Sequence, residues 1–139
     1  MLQEQTIDYA EAKRALDALV QEIRQRGKAG VIAVTDAHGE LIAFARMDGA
    51  PLSSITIAMN KAYSAARERK PSKEIGNAAR NQEKGFDIGY FGDARFTGWG
   101  GGVPVVKEGR VIGAIAVSGL PQTEDMELAE IGARLICAG

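Results

Sequence analysis

The sequence predicts an α+β domain built on an antiparallel sheet, and three observations carry that reading. Apolar residues recur at helical spacing near both ends of the chain, as Ala12, Leu16, Leu19 and Ile23 and again as Leu128, Ile131 and Leu135. Two pairs of β-prone runs, 31–35 with 41–46 and 103–107 with 111–117, are each joined by a short polar turn containing glycine, which marks hairpins. The order is helix, hairpin, helices, hairpin, helix, without the strand–helix–strand alternation of a parallel sheet.

Taken in order, Thr6 followed by Ile7 and Asp8 offers an N-cap and an acidic first turn, and Gly27 stops the first helix at C′. Residues 36–40, including His38 and Gly39, turn the first hairpin. The stretch 47–51 (MDGAP) then breaks the pattern, and Ser53 or Ser54 caps a second helix running to about Arg69, where Lys70 and Pro71 end it. Its small residues Ala58, Ala62, Ala65 and Ala66 share neighbouring positions and permit close approach of another element. Core packing is the plain reading, and a subunit contact is the second. Residues 71–81 form a third, short and polar helix. Pro104 places its strand at an edge or puts the proline at a strand start. Residues 111–117 are apolar on both faces, as a central strand covered on two sides requires. Thr123 caps a last helix whose first turn holds Glu124 and Asp125 and whose Leu128, Ile131 and Leu135 face inward.

At 139 residues the chain is one domain, residues 1–139, large enough to bury a core. A net charge of -1 with mixed signs argues against a nucleic-acid or membrane partner and for a small molecule or a second copy of the chain. The lone Cys137 allows no intrachain disulfide, and the start lacks a basic and apolar leader pattern, so a cytoplasmic setting is expected. His38 stands alone in a turn and with Cys137 cannot make a zinc site; no metal site is expected.

The segment 86–120 is the richest in chemistry. Its first part holds five of the eight aromatic residues, Phe86, Tyr90, Phe91, Phe96 and Trp99, and runs into Gly100, Gly101 and Gly102. Glycines without β-carbons allow a ligand or another backbone to come close. The run leads into a strand and so is no helix-capped phosphate loop. Trp99 with exposed N–H groups can hold a flat ring and a carboxylate or carbonyl. Candidate ligand-binding residues are Arg46, Phe91, Arg95, Thr97, Trp99 and the three glycines, the arginines being able to clamp a carboxylate. Should the protein be an enzyme, Lys61 or Tyr63 would move a proton and Asp48 would orient it. Lys61 follows Ile57 and Ala58 on a small and apolar helix, where partial burial lowers an amine's pKa.

Leu41, Ile42, Ala43, Phe44 and Arg46, then Met47 to Ala50, the Lys61 and Ala62 helix, Gly101 to Pro104, Val111 to Ala114 and Val117 to Gly119 together resemble the GlcG/HbpS-like family, which includes the C-terminal domain of PduO-type proteins. The resemblance runs through almost the whole chain. It implies a profilin-like or PAS-like fold with a five-stranded antiparallel sheet flanked by helices, in a homo-oligomer. Some relatives bind haem, and others are encoded beside genes for glycolate, diol or aromatic-compound breakdown. A small-ligand-binding domain is therefore expected, with haem or a related tetrapyrrole as the leading ligand. The pocket would lie between the aromatic loop, the glycine run and the start of the second helix. An isomerase, hydrolase or deaminase acting on an unsaturated or hydroxylated acid of aromatic catabolism is the alternative, and a non-catalytic accessory subunit the third.

Overall fold

The computed structural model describes residues 1–139. Helix α1 (Tyr9–Gln25) starts at Asp8, whose carboxylate accepts from the Glu11 N–H at 2.8 Å while the Glu11 carboxylate accepts from the Asp8 N–H at 3.0 Å. Asp8, and not Thr6, is thus the cap. The Thr6 hydroxyl is spent on the sheet, donating to the Ile112 carbonyl and accepting from the Ala37 N–H. Gly27, at φ 70, ends the helix where expected. Asp8→Ala should cost about 1 kcal/mol, seen as a lower urea midpoint at unchanged slope.

The sheet holds β1 (Val31–Asp36), β2 (Leu41–Arg46), β3 (Gly102–Lys107) and β4 (Arg110–Ser118), all pairs antiparallel, in the order β2-β1-β4-β3. It has four strands, which corrects the five that the family resemblance implied. The long connection before β3 scatters its aromatics among glycines and polar residues without β alternation, and it folds as a 3-10 turn (Ile88–Phe91) between loops. β4 is central as its two apolar faces require, and Pro104 sits on the edge strand β3, where a missing N–H interrupts one ladder at most.

Strand periodicity sorts the core into two layers. Ile32, Val34, Ile115 and Val117 face α1 and α4 (Gln122–Ala138), meeting Leu16, Leu19, Ile23, Leu128 and Ile136. Val31, Ala33, Ala114 and Ala116 face α2 (Ser54–Glu68), meeting Ala58, Ala62, Ala65 and Ala66. The small face of α2 is therefore core packing against its own sheet, which leaves it no role as a subunit contact. It brings the helix so near that a Cβ on Gly102 would lie 2.4 Å from the Lys61 carbonyl oxygen. Arg69, left-handed at φ 61, ends α2, and α3 (Ser72–Ala79) follows.

Helix α4 differs from expectation in phase. It begins after Pro121, so Thr123 lies inside the first turn and caps nothing. Its buried stripe is Asp125, Leu128, Ala129, Gly132, Ala133 and Ile136, with Ile131 half-buried and Leu135 exposed. The reason is close approach at Gly132, where a Cβ would come within 2.6 Å of the Ile115 side chain. The helix seats its small face on the sheet and turns Leu135 to solvent. No helix is long and apolar enough to cross a membrane.

Candidate functional site

Lys61 lies on the buried face of α2 between Ala58 and Ala62, so its stem is enclosed and its amine must find partners at the end of the sheet. The side chain is 3% exposed. Nζ donates to the Val117 carbonyl at 3.0 Å and to Asp125 Oδ2 at 3.3 Å. Asp125, on the first turn of α4, accepts at its other oxygen from the Leu120 N–H at 3.1 Å. One ion pair thus joins α2, the end of β4 and the start of α4. Burial pushes the Lys61 amine down from its ordinary value and pushes the Asp125 carboxyl up to about 6, each offset in part by the other's charge.

The glycine run closes over this pair. Gly101, at φ 125, accepts from the Val117 N–H at 2.9 Å, and a Cβ there would stand 2.7 Å from Lys61 Nζ. Serines hold the run in place. Ser72 Oγ donates to the Trp99 carbonyl at 2.6 Å and accepts from the Gly102 N–H at 3.0 Å, and Ser64 Oγ accepts from the Thr97 N–H at 2.9 Å. The approach that glycine permits is here an approach of backbone to the buried amine.

In front of the pair opens a recess of about 470 Å³, lined among others by Ser54, Ile57, Trp99, Gly119 and Gln122 with Lys61 and Asp125 themselves. The N-termini of α2 and α4 both meet it, through Ser53 and Ser54 and through Leu120 and Gln122, and neither helix has a side-chain cap. Several N–H groups at these starts are already engaged, Ser54 and Ile55 with the Pro51 and Leu52 carbonyls, Glu124 and Asp125 with that of Pro121, so the starts offer their remaining N–H groups and partial positive charge. The Gly119 N–H also finds no acceptor within the chain. Trp99, 57% exposed, forms an aromatic wall. The surroundings of this recess favour an anionic group beside a flat one.

Of the residues singled out in the sequence, Lys61, Trp99 and Gly100 meet in this recess. Gly101 and Gly102 border a separate one of about 360 Å³ with Thr123 and Met126. Arg46 and Asp48 line a polar depression with Arg24 and Lys28, so the carboxylate beside Lys61 is Asp125 and not Asp48. Tyr63 donates its hydroxyl to Asp93, and Arg95 lies 3.9 Å above the Tyr63 ring while making two bonds to the same Asp93 carboxylate, at 3.0 and 3.1 Å. That guanidinium is engaged inside the chain. It holds the Asp93 carboxyl well below the usual carboxylate range, and burial with the Asp93 bond raises the Tyr63 phenol. Phe91 stacks on Phe86 with ring centres 5.7 Å apart and meets Phe96 edge-on at 5.0 Å. His38, in its hairpin turn, contacts Glu4. No group of three or more His, Cys, Asp and Glu stands where it could hold a metal ion.

Sequence reasoning missed Asp125, Ser54, Gly119 and Gln122. For Asp125 a signal existed: stepping back from Leu128 and Ala129 by three and four residues puts it on the buried stripe. An acidic first turn reads as a complement to the helix dipole, which hides the difference between buried Asp125 and Glu124, whose carboxylate pairs with Arg26 at 3.0 Å and Lys28 at 2.5 Å.

Fold and site together define a single-sheet α+β domain with a recess at one end of its sheet. A family model described as haem degrading protein HbpS-like matches residues 7–134, and the chain belongs to this HbpS-like family. It is 36% identical over 105 residues to protein GlcG of Escherichia coli K12, covering 75% of each chain. Among solved structures it resembles Klebsiella pneumoniae protein ORFY, with TM-score 0.91, 32% identity and coverage of 100% of this chain and 96% of that one. A PduOC:heme complex shares the fold at TM-score 0.86 and 22% identity, covering 94% of each chain.

Proposed function

We propose that the chain binds a small, flat, carboxylate-bearing ligand in the recess under Trp99. The observation that carries this reading is the convergence of two helix N-termini without side-chain caps above a buried lysine, beside an exposed indole. The Gly119 N–H and those N–H groups of the two helix starts that have no partner in the chain take the carboxylate, and Trp99 takes the ring face. The recess has the size of ordinary small-molecule sites.

Haem and related tetrapyrroles are the first named candidates, since they join a flat macrocycle to carboxylates and a neighbour of this fold is a heme complex. The recess suits their carboxylate edge and one ring face. For the iron it offers no histidine, cysteine, methionine or tyrosine, and its one amine is engaged by Asp125 and Val117. No step is therefore assigned to a haem iron.

Trp99 is the single tryptophan, so its fluorescence reports occupancy directly. Titration with haemin, metal-free protoporphyrin and a small aromatic acid should show saturable quenching, with haemin and protoporphyrin alike within about threefold, since no axial ligand adds affinity. Followed by absorbance or calorimetry, Trp99→Ala should weaken binding by about tenfold. Arg95→Ala should leave it unchanged. Absence of saturable binding by all three probes, or undiminished affinity in Trp99→Ala, would overturn the reading. An enzymatic reading draws support from one observation, the placing of Lys61 and Asp125 on the recess wall.

A further inference from the structure

We propose that Lys61 captures carbonyl compounds: its amine forms a Schiff base with an aldehyde or 2-oxo group of a carboxylate-bearing ligand seated in the recess, while Asp125 carries the protons. This rests on the reading of the recess as a carboxylate site and adds the chemistry of the ligand's other end.

A lysine in a packed helix ordinarily extends its stem and leaves the ammonium in water. Lys61 instead turns its amine into the protein and onto a recess wall. Simple charge balance inside a fold does not require a wall position, but a nucleophile does. Nζ is held by two bonds, to Val117 and Asp125, so one of the three N–H directions of the ammonium has no partner in the chain. The carboxylate that would take its proton is already in contact and is itself fixed by the Leu120 N–H, so the transfer needs no rearrangement. The shifts of both groups point the same way, toward a neutral amine and a protonated acid. A carboxylate bound by the helix starts would hold the carbonyl end within the same recess.

The step balances without an added reagent. Asp125 takes a proton from the ammonium, and the neutral amine attacks the carbonyl carbon, forming the C–N bond while the carbonyl oxygen takes the proton from Asp125. Asp125 then removes a second proton from nitrogen and passes it to the hydroxyl, which leaves as water as the nitrogen lone pair closes the C=N bond. The product is a protonated imine beside a carboxylate. Charge in the buried site is the same at the start and the end, a cation paired with an anion, so the reaction adds no unpaired charge to the interior.

The test is reductive trapping on the intact chain with sodium cyanoborohydride and 4-carboxybenzaldehyde, with benzaldehyde as the probe lacking a carboxylate. Intact mass and peptide mapping give the number and place of secondary-amine adducts. The expected result is one adduct per chain on Lys61, ahead of exposed lysines such as Lys13 and Lys84, and slower by about tenfold with benzaldehyde, the loss of one charge-assisted contact. Asp125→Asn should slow Lys61 labelling on the order of a hundredfold, the usual worth of a positioned acid–base. Mapping on the unaltered chain decides the matter even where the variant folds poorly. Labelling of Lys61 no faster than that of exposed lysines, or equally fast with both aldehydes, would overturn the proposal. Binding of 4-methylbenzoate, which has no carbonyl to capture, is measured in parallel through Trp99 fluorescence. Its binding without a Lys61 adduct defeats the Schiff base and spares the carboxylate site, whereas absence of both defeats the two together.

Discussion

Gly102→Ala is expected to be more damaging than its single methyl group suggests, lowering stability by about 3 kcal/mol or more. The new Cβ would meet the Lys61 carbonyl oxygen at 2.4 Å and its carbonyl carbon at 2.7 Å, both backbone atoms in the middle of α2. A flexible side chain could swing aside, but a helix backbone can move only as a body. Here the body is seated on Ala33, Ala114 and Ala116 through its own alanines, with no slack to absorb a shift. Because the clash falls on Lys61 itself, relief by moving α2 would also draw the amine from Asp125 and the recess. Gly109→Ala is the natural contrast: that glycine has φ 75 and nothing within 4 Å, so its cost is conformational, about 1 kcal/mol. Urea unfolding of both variants decides it. A Gly102→Ala protein as stable as Gly109→Ala would mean that α2 does not press on β3 as described.

The sequence told most about the elements whose signals are local. Both hairpins were legible because glycine turns and β-branched runs act over a few residues, and Pro104 and the apolar run of β4 placed edge and centre correctly. The phase of α4 was not legible, because Gly132 against Ile115 is a contact between distant segments, and it overrode the larger Leu135. The same holds in the site. Trp99, Gly100 and Lys61 were found from local oddities: an aromatic cluster, a glycine run, and a lysine on an otherwise small and apolar helix. Arg46, Asp48 and Arg95 lie where elements meet in sequence, but the fold carries Arg46 and Asp48 to another depression and binds Arg95 to Asp93. Asp125 went unrecognised because an acidic first turn already had a sufficient explanation.

Asp125→Ala should be the other severe substitution, with a loss of about 3–5 kcal/mol, because it leaves a buried ammonium facing one carbonyl oxygen. The double variant Lys61→Met with Asp125→Leu should regain most of this and lie within about 1 kcal/mol of the original chain, since both desolvation penalties vanish with the charges. The pH profile gives an independent reading. Folded Asp125 holds its proton up to about 6 where the ordinary value is 3.8, so the folded state binds more protons across that window and stability falls as pH rises through it. The chain with Asp125 should therefore lose stability between those values relative to Asp125→Asn, which has no carboxyl to ionise. Lys61, shifted the opposite way, works in the alkaline range: the unfolded chain keeps this proton to higher pH, so this term favours folding as pH rises toward 10.5. Both signs say that keeping the pair charged near neutrality costs the fold free energy that apolar residues would save. A double variant that is as stable as the original chain but no longer binds its ligand would establish that the pair is kept for the recess and not for the core. Were the double variant instead as unstable as Asp125→Ala, the pair would be a structural clamp joining α2 to α4.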